Sequence, residues 1–271
     1  MALLSGTGGQ SLASLSAALS RRGQKQHGLR GLPETILPGA VLIVDEKCRA
    51  ESLAAIPALP RGSAVLLRDY HNLQRRLLAR ELLTLCRRRG LRLIMAAATR
   101  EDVGFALHLG VLDVCGLHLP QAALSAPARM MGSLRRFPPQ WILTASVHSR
   151  FALETASRLG VHAALLSPVF PTTSHPGRDA LGPLRFSLLA RGAPLPVYAL
   201  GGIHTGNARR LTHSGAVGIA AIEGFALEGP PSRGLQSHRL RLNRRVRGWL
   251  CDRGGGYGRA VLTSLSVGGK G

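Results

Sequence analysis

At 271 residues, 45% of them hydrophobic and 18% charged, the chain is long enough to bury a sizeable core. Its formal charge is +21, yet 32 of its 35 cations are arginines, the lysines being Lys25, Lys47 and Lys270. Many of these arginines fall at the ends of the chain or on helix exteriors such as Arg75-Arg76 and Arg87-Arg88-Arg89. A solvated basic surface therefore explains the charge better than a specific nucleic-acid site, which needs cations gathered on one face to displace counterions. The four cysteines, Cys48, Cys86, Cys115 and Cys251, have no metal-ligand spacing, which suits a reduced, cytoplasmic chain. No apolar run reaches the roughly 18 residues of a membrane span.

Residues 1–38 are expected to form an unstructured extension. Their first 22 positions are rich in Ser, Ala and Leu and end in Arg21-Arg22, a partial match to a targeting segment. From about Gly39 a regular alternation begins. Eight short apolar runs, Val41–Glu46, Ala64–Asp69, Arg92–Ala98, Val114–Pro120, Trp141–Val147, Ala163–Phe170, Pro196–Gly202 and Gly218–Gly224, read as strands apolar on both faces. The segments between them read as crossover helices. Asn72–Arg89 carries leucines at helical spacing and stops at Gly90, and Thr99 with Asp102 can cap the next helix. Ser149 precedes the helix at Phe151–Leu159, and Thr205 starts one through Thr212. The first helix, near Arg49–Ile56, is short, and the fourth, between Pro127 and Arg136, is poorly defined.

Eight such units predict an α/β fold, a parallel (β/α)8 barrel over residues 39–228, with a doubly wound open sheet as the alternative. No eighth crossover helix is obvious. Residues 229–271 carry eight arginines and Lys270 against the lone acid Asp252, and are expected to form an unstructured Arg/Gly-rich tail.

In such a barrel the loops after the strands carry the chemistry. The glycines of Ala199-Leu200-Gly201-Gly202-Ile203, with Gly215–Ile219 entering the eighth strand, let backbone N–H groups approach an anion, and a helix N-terminus would follow. Phosphate binding is the reading taken, with a plain tight turn as the alternative. The sixth-strand loop, Ser167 to Gly177, offers hydroxyls and an imidazole at Thr172, Thr173, Ser174 and His175. At the fifth strand, Ser146-Val147-His148-Ser149 supplies a candidate acid–base, His148, although a role in capping the next helix is nearly as good an account. His118, on the fourth strand, reads as a satisfied core histidine.

Taken together, Ser146–Ser149, Ser167–Thr173, Ala199–Ile203 and Gly215–Ile222 resemble the thiamine phosphate synthase family and its TenI-like relatives, the thiazole tautomerases. The resemblance implies thiazole phosphate or thiamine phosphate as ligand, held by Gly201, Gly202, Ile222 and Glu223, the last through its backbone alone. It adds Arg68, Ser146, Thr172, Ser174 and His175 as substrate contacts. In the synthases of that family magnesium assists release of pyrophosphate, but the family's Asn-Asp pair after strand three is Ala96-Ala97 here and its aspartate after strand four is Ala123. With those carboxylates missing, the expectation is a tautomerase using His148 as acid–base and no metal. The alternatives are a divergent, magnesium-dependent synthase and a non-catalytic phosphate-binding barrel.

Overall fold

The computed structural model describes residues 11–26, 37–46, 48–70, 74–110, 114–125, 137–172, 179–222 and 224–225. The chain divides into a unit spanning residues 1–229 and a second spanning 230–271, and all the described residues lie in the first.

Eight parallel strands close into a barrel in sequence order: β1 (Ala40–Val44), β2 (Ala64–Leu67), β3 (Arg92–Ala96), β4 (Val114–Leu119), β5 (Ile142–Val147), β6 (Ala163–Leu166), β7 (Val197–Leu200) and β8 (Gly218–Ala221). Closure is made by β8 on β1, with Val41 opposite Ala220. Each strand is shorter than the apolar run that announces it, and in all but β5 the run continues past the strand's end. The period-two alternation sorts side chains between two cores. Leu42, Val44, Val65, Leu67 and Leu93 face the helices. Val41, Ile43, Leu66, Ile94, Leu165 and Tyr198 fill the barrel. Parallel pairing with both faces covered explains why the strands read as continuous apolar runs.

The crossover helices follow the local signals. In α3 (Arg75–Arg89), Leu78, Ala79, Leu82, Leu83 and Cys86 are buried, and Gly90 ends the helix in the left-handed conformation, with φ 63°. In α4 (Arg100–Leu109) the Thr99 hydroxyl accepts from Asp102 N–H while the Asp102 carboxylate accepts from Thr99 N–H, a reciprocal cap. The remaining described helices are α2 (Arg49–Ala55), α5 (Gln121–Ser125), α6 (Arg150–Arg158), α7 (Gly182–Arg191) and α8 (Thr205–Ala208), the last continued by a 3-10 turn at Arg209–Leu211. The fourth helix expected between Pro127 and Arg136 lies outside the described residues, as does the tail at 229–271.

The N-terminal segment corrects the sequence reading. Residues expected to be unstructured form α1 (Leu12–Gln26), which packs against β8 and β1. Leu12, Leu15 and Leu19 are buried in the core shared with the outer faces of the strands. The Ser16 hydroxyl donates to the Gly39 carbonyl and accepts from Ile219 N–H. Helix α1 thus covers β8, after which no crossover helix stands among the described residues. Its three buried leucines at i, i+3 and i+7 were the available signal. None of the described helices is long and apolar enough to cross a membrane.

Candidate functional site

A cavity of about 130 Å³ opens at the C-terminal ends of the strands, lined among others by Arg68, Ser146, His148, Thr172, Gly202 and Ile222. Gly201 completes the lining of the same wall. The fold therefore brings together residues far apart in sequence, from the ends of β2, β5, β6, β7 and β8. Of the expected site, Ser174, His175 and Glu223 lie outside the described residues.

The glycine pair is dictated by packing as much as by any ligand. After β6 the chain crosses tightly over the end of β7: Val169 N–H donates to Leu200 O and Phe170 N–H to Gly201 O. Gly201 has φ 100° and Gly202 has φ 64°, backbone conformations that side chains resist. A Cβ on Gly202 would stand 2.3 Å from Pro171 O and 2.8 Å from Phe170 O. The tight turn and the candidate cradle are thus one structure. Among the described residues the Gly202 N–H meets no acceptor, and the turn borders the cavity. The helix dipole expected behind this turn is not supplied: α8 is a single turn, and its leading N–H groups are taken by the side chain and carbonyl of His204.

His148 does not cap a helix. That role belongs to Ser149, whose hydroxyl accepts from Ala152 N–H at 3.2 Å. The His148 Nδ1 lies 2.8 Å from the carbonyl oxygen of Ser167 and 3.1 Å from its hydroxyl. A carbonyl only accepts, so Nδ1 carries a proton, and in the neutral ring Nε2 is the basic nitrogen. A half-buried imidazole in that tautomer, at the wall of a cavity, can take a proton from a ligand carbon and return it.

Arg68 reaches the cavity from the end of β2 while paired to Asp45 at the end of β1, Nη2 to Oδ2 at 2.5 Å. Asp45 went unremarked in the sequence because nothing there announces that β1 and β2 end side by side. His118 is the satisfied core histidine that the sequence suggests. Its Nδ1 lies 3.0 Å from Thr144 Oγ1 and its Nε2 2.8 Å from Ser146 Oγ, directly beneath the cavity wall. Burial, with the Arg68 charge nearby, pushes its pKa down to about 3, so the ring is neutral.

The magnesium that the family resemblance implies is not matched by the described residues. Magnesium wants oxygen ligands in an octahedral shell, usually carboxylates beside phosphates. Ala96 and Ala97 are fully buried methyl groups at the end of β3. The place beside them is occupied by a cation of the protein itself. Arg75 donates to the Ala96 carbonyl, pairs with Asp102, and stacks over the Tyr70 ring with 5.4 Å to the centroid. Asp102 is spent on Arg75 and on the N–H groups of Ala98 and Thr99. Asp113 lies outside the described residues. Among the described residues no group of three His, Cys, Asp or Glu side chains could hold a metal ion.

Comparison with known proteins bears on this arrangement. The profile of the family described as thiamine monophosphate synthase (TMP-TENI) matches residues 40–225, which is the barrel without α1. The thiamine-phosphate synthase of Chlorobium luteolum is 34% identical over 206 residues, covering 74% of this chain and 91% of that protein. A relative from Aquifex aeolicus is 31% identical over 126 residues, so that 46% of this chain matches 62% of that protein's length. A solved structure, the thiamine phosphate pyrophosphorylase of Pyrococcus furiosus, superposes with a TM-score of 0.52 at 22% identity, covering 69% of this chain and 90% of that one, a likeness of fold. On the match of the whole barrel, the chain belongs to the thiamine monophosphate synthase family.

Proposed function

We propose that this chain acts in thiamine biosynthesis and binds a thiazole phosphate, its phosphate seated against the turn at Gly201-Gly202 and the end of β8 at Ile222. The observation that carries the reading is the Gly202 N–H, which meets no described acceptor and borders a cavity in a family of this chemistry. Thr172 and Arg68 line the same cavity and supply a further hydroxyl and a fixed cation for phosphate oxygens.

The relatives' names favour coupling over the tautomerisation read from the sequence. In that reaction the thiazole nitrogen attacks the methylene carbon of a hydroxymethylpyrimidine diphosphate. A C–N bond forms, the C–O bond to pyrophosphate breaks, and pyrophosphate leaves with the electron pair. The contribution of these residues would be to hold the thiazole in register and to exclude water. The described residues at this end of the barrel do not offer the carboxylates that magnesium would need.

A second reading, proton transfer on a thiazole phosphate tautomer, is favoured by the His148–Ser167 hydrogen bond, which leaves Nε2 as the basic nitrogen. One positioned imidazole supplies on the order of 10²–10⁴-fold in rate. The test is to incubate the purified full chain with both substrates and measure thiamine phosphate and pyrophosphate, and separately to follow aromatisation of the thiazole tautomer. Coupling that survives His148→Ala supports the first reading. Aromatisation that is lost in His148→Ala supports the second. Saturable thiazole phosphate binding with neither product would leave a binding protein only.

A further inference from the structure

The hydrogen bonds beneath the cavity have a direction. The Thr144 hydroxyl donates to Leu117 O at 3.1 Å. A hydroxyl has one proton, so toward His118 Nδ1, 3.0 Å away, Thr144 can only accept. Nδ1 therefore carries the hydrogen. A neutral imidazole has a single N–H, which makes Nε2 an acceptor, and its partner at 2.8 Å is the Ser146 hydroxyl. The one Ser146 proton is committed to the core, and the lone pairs of its oxygen are what the hydroxyl offers to the cavity it lines.

We propose that His118 is a positioning residue that fixes the Ser146 hydroxyl as a hydrogen-bond acceptor toward the cavity, so that this wall selects a donor group on the ligand. An amine, a ring N–H or a ligand hydroxyl fits there, and a phosphate oxygen does not. The assignment rests on the reading of this cavity as the substrate site, and it changes the expectation that Ser146 helps to grip phosphate. His118 itself does not line the cavity and is 1% exposed. It acts only through Ser146. The neutrality of the ring, held by burial and by the Arg68 charge, keeps the chain pointing one way. An imidazolium would donate from both nitrogens and turn the Ser146 proton outward.

Two measurements test the assignment. In the full chain labelled with 15N-histidine, the His118 signals, identified by their loss in His118→Asn, should report the neutral Nδ1–H tautomer with Nε2 unprotonated. A neutral Nε2–H ring or an imidazolium near neutral pH would overturn it. In His118→Leu the Ser146 proton is released toward the cavity, and inorganic phosphate should bind at least about tenfold tighter, the worth of one hydrogen bond to a charged group. A merely structural histidine predicts the opposite sign, so unchanged or weaker phosphate binding by a folded His118→Leu protein would count against the proposal. If that variant does not fold, the tautomer in the unmodified chain decides. If neither protein binds phosphate, the phosphate cradle is refuted, and the tautomer result still decides the direction of the hydrogen bonds.

Discussion

Acid should weaken this fold through His118 in a defined window. The ring is buried and its pKa is pushed from the ordinary 6.5 to about 3, first by desolvation and then by Arg68. In the unfolded chain it regains its ordinary value, so between about pH 6.5 and 3 the unfolded state binds the extra proton. The stability is therefore fully present above that window and is lost as pH falls through it. One proton gives a slope of at most about 1.4 kcal/mol per pH unit, and between pH 7 and 4.5 the loss integrates to about 2–3 kcal/mol. Acid acts on other groups of the fold as well, and a variant separates their effect from that of His118. His118→Asn retains an N–H for Thr144 and removes the titrating group. Urea unfolding of both proteins across this range should show the stability difference between them shifting by that amount in favour of the variant at low pH. Parallel curves would refute the claim that a neutral imidazole is built into the barrel.

The other predictions concern the cradle, the metal half and the N-terminal helix. Gly202→Ala forces a methyl group against Pro171 O and Phe170 O, and should weaken thiazole phosphate binding at least about tenfold while lowering stability by roughly 1–3 kcal/mol; calorimetric titration and thermal melts would register both. Chelation by EDTA should leave thiazole phosphate affinity unchanged, since Arg75 stands beside the alanines where carboxylates would be needed; a binding isotherm that collapses on chelation would contradict it. Leu12→Ala, at a site with no exposure, should cost about 2–5 kcal/mol in denaturant unfolding if α1 is part of the barrel core.

The barrel was legible because its strands are buried on both faces and each crossover carries its own stop signal. Gly90 and the Thr99–Asp102 cap are local chemistry that any reader of the sequence can find. Helix α1 was not recognised because its fixing partner, β8, lies some two hundred residues away, and because serines interleave its buried leucines, with Ser16 and Ser20 themselves buried. At the site, the glycine turn and His148 were identifiable from residue type and strand-end position. The pairing of Arg68 with Asp45, the intrusion of Arg75 beside Ala96 and the direction of the His118–Ser146 hydrogen bond were not, since each depends on which strands end side by side. The sequence could show that carboxylates were missing. Only the fold shows that an arginine has taken the adjoining space.

The most direct test of the central claim is a crystal structure of the chain grown with thiazole phosphate at saturating concentration. The account predicts the phosphate in the cavity between the ends of β7 and β8, within hydrogen-bond reach of the Gly202 N–H and beside Ile222. A thiazole phosphate bound elsewhere, or a phosphate seated on Ser146 with the Gly201-Gly202 turn untouched, would contradict it.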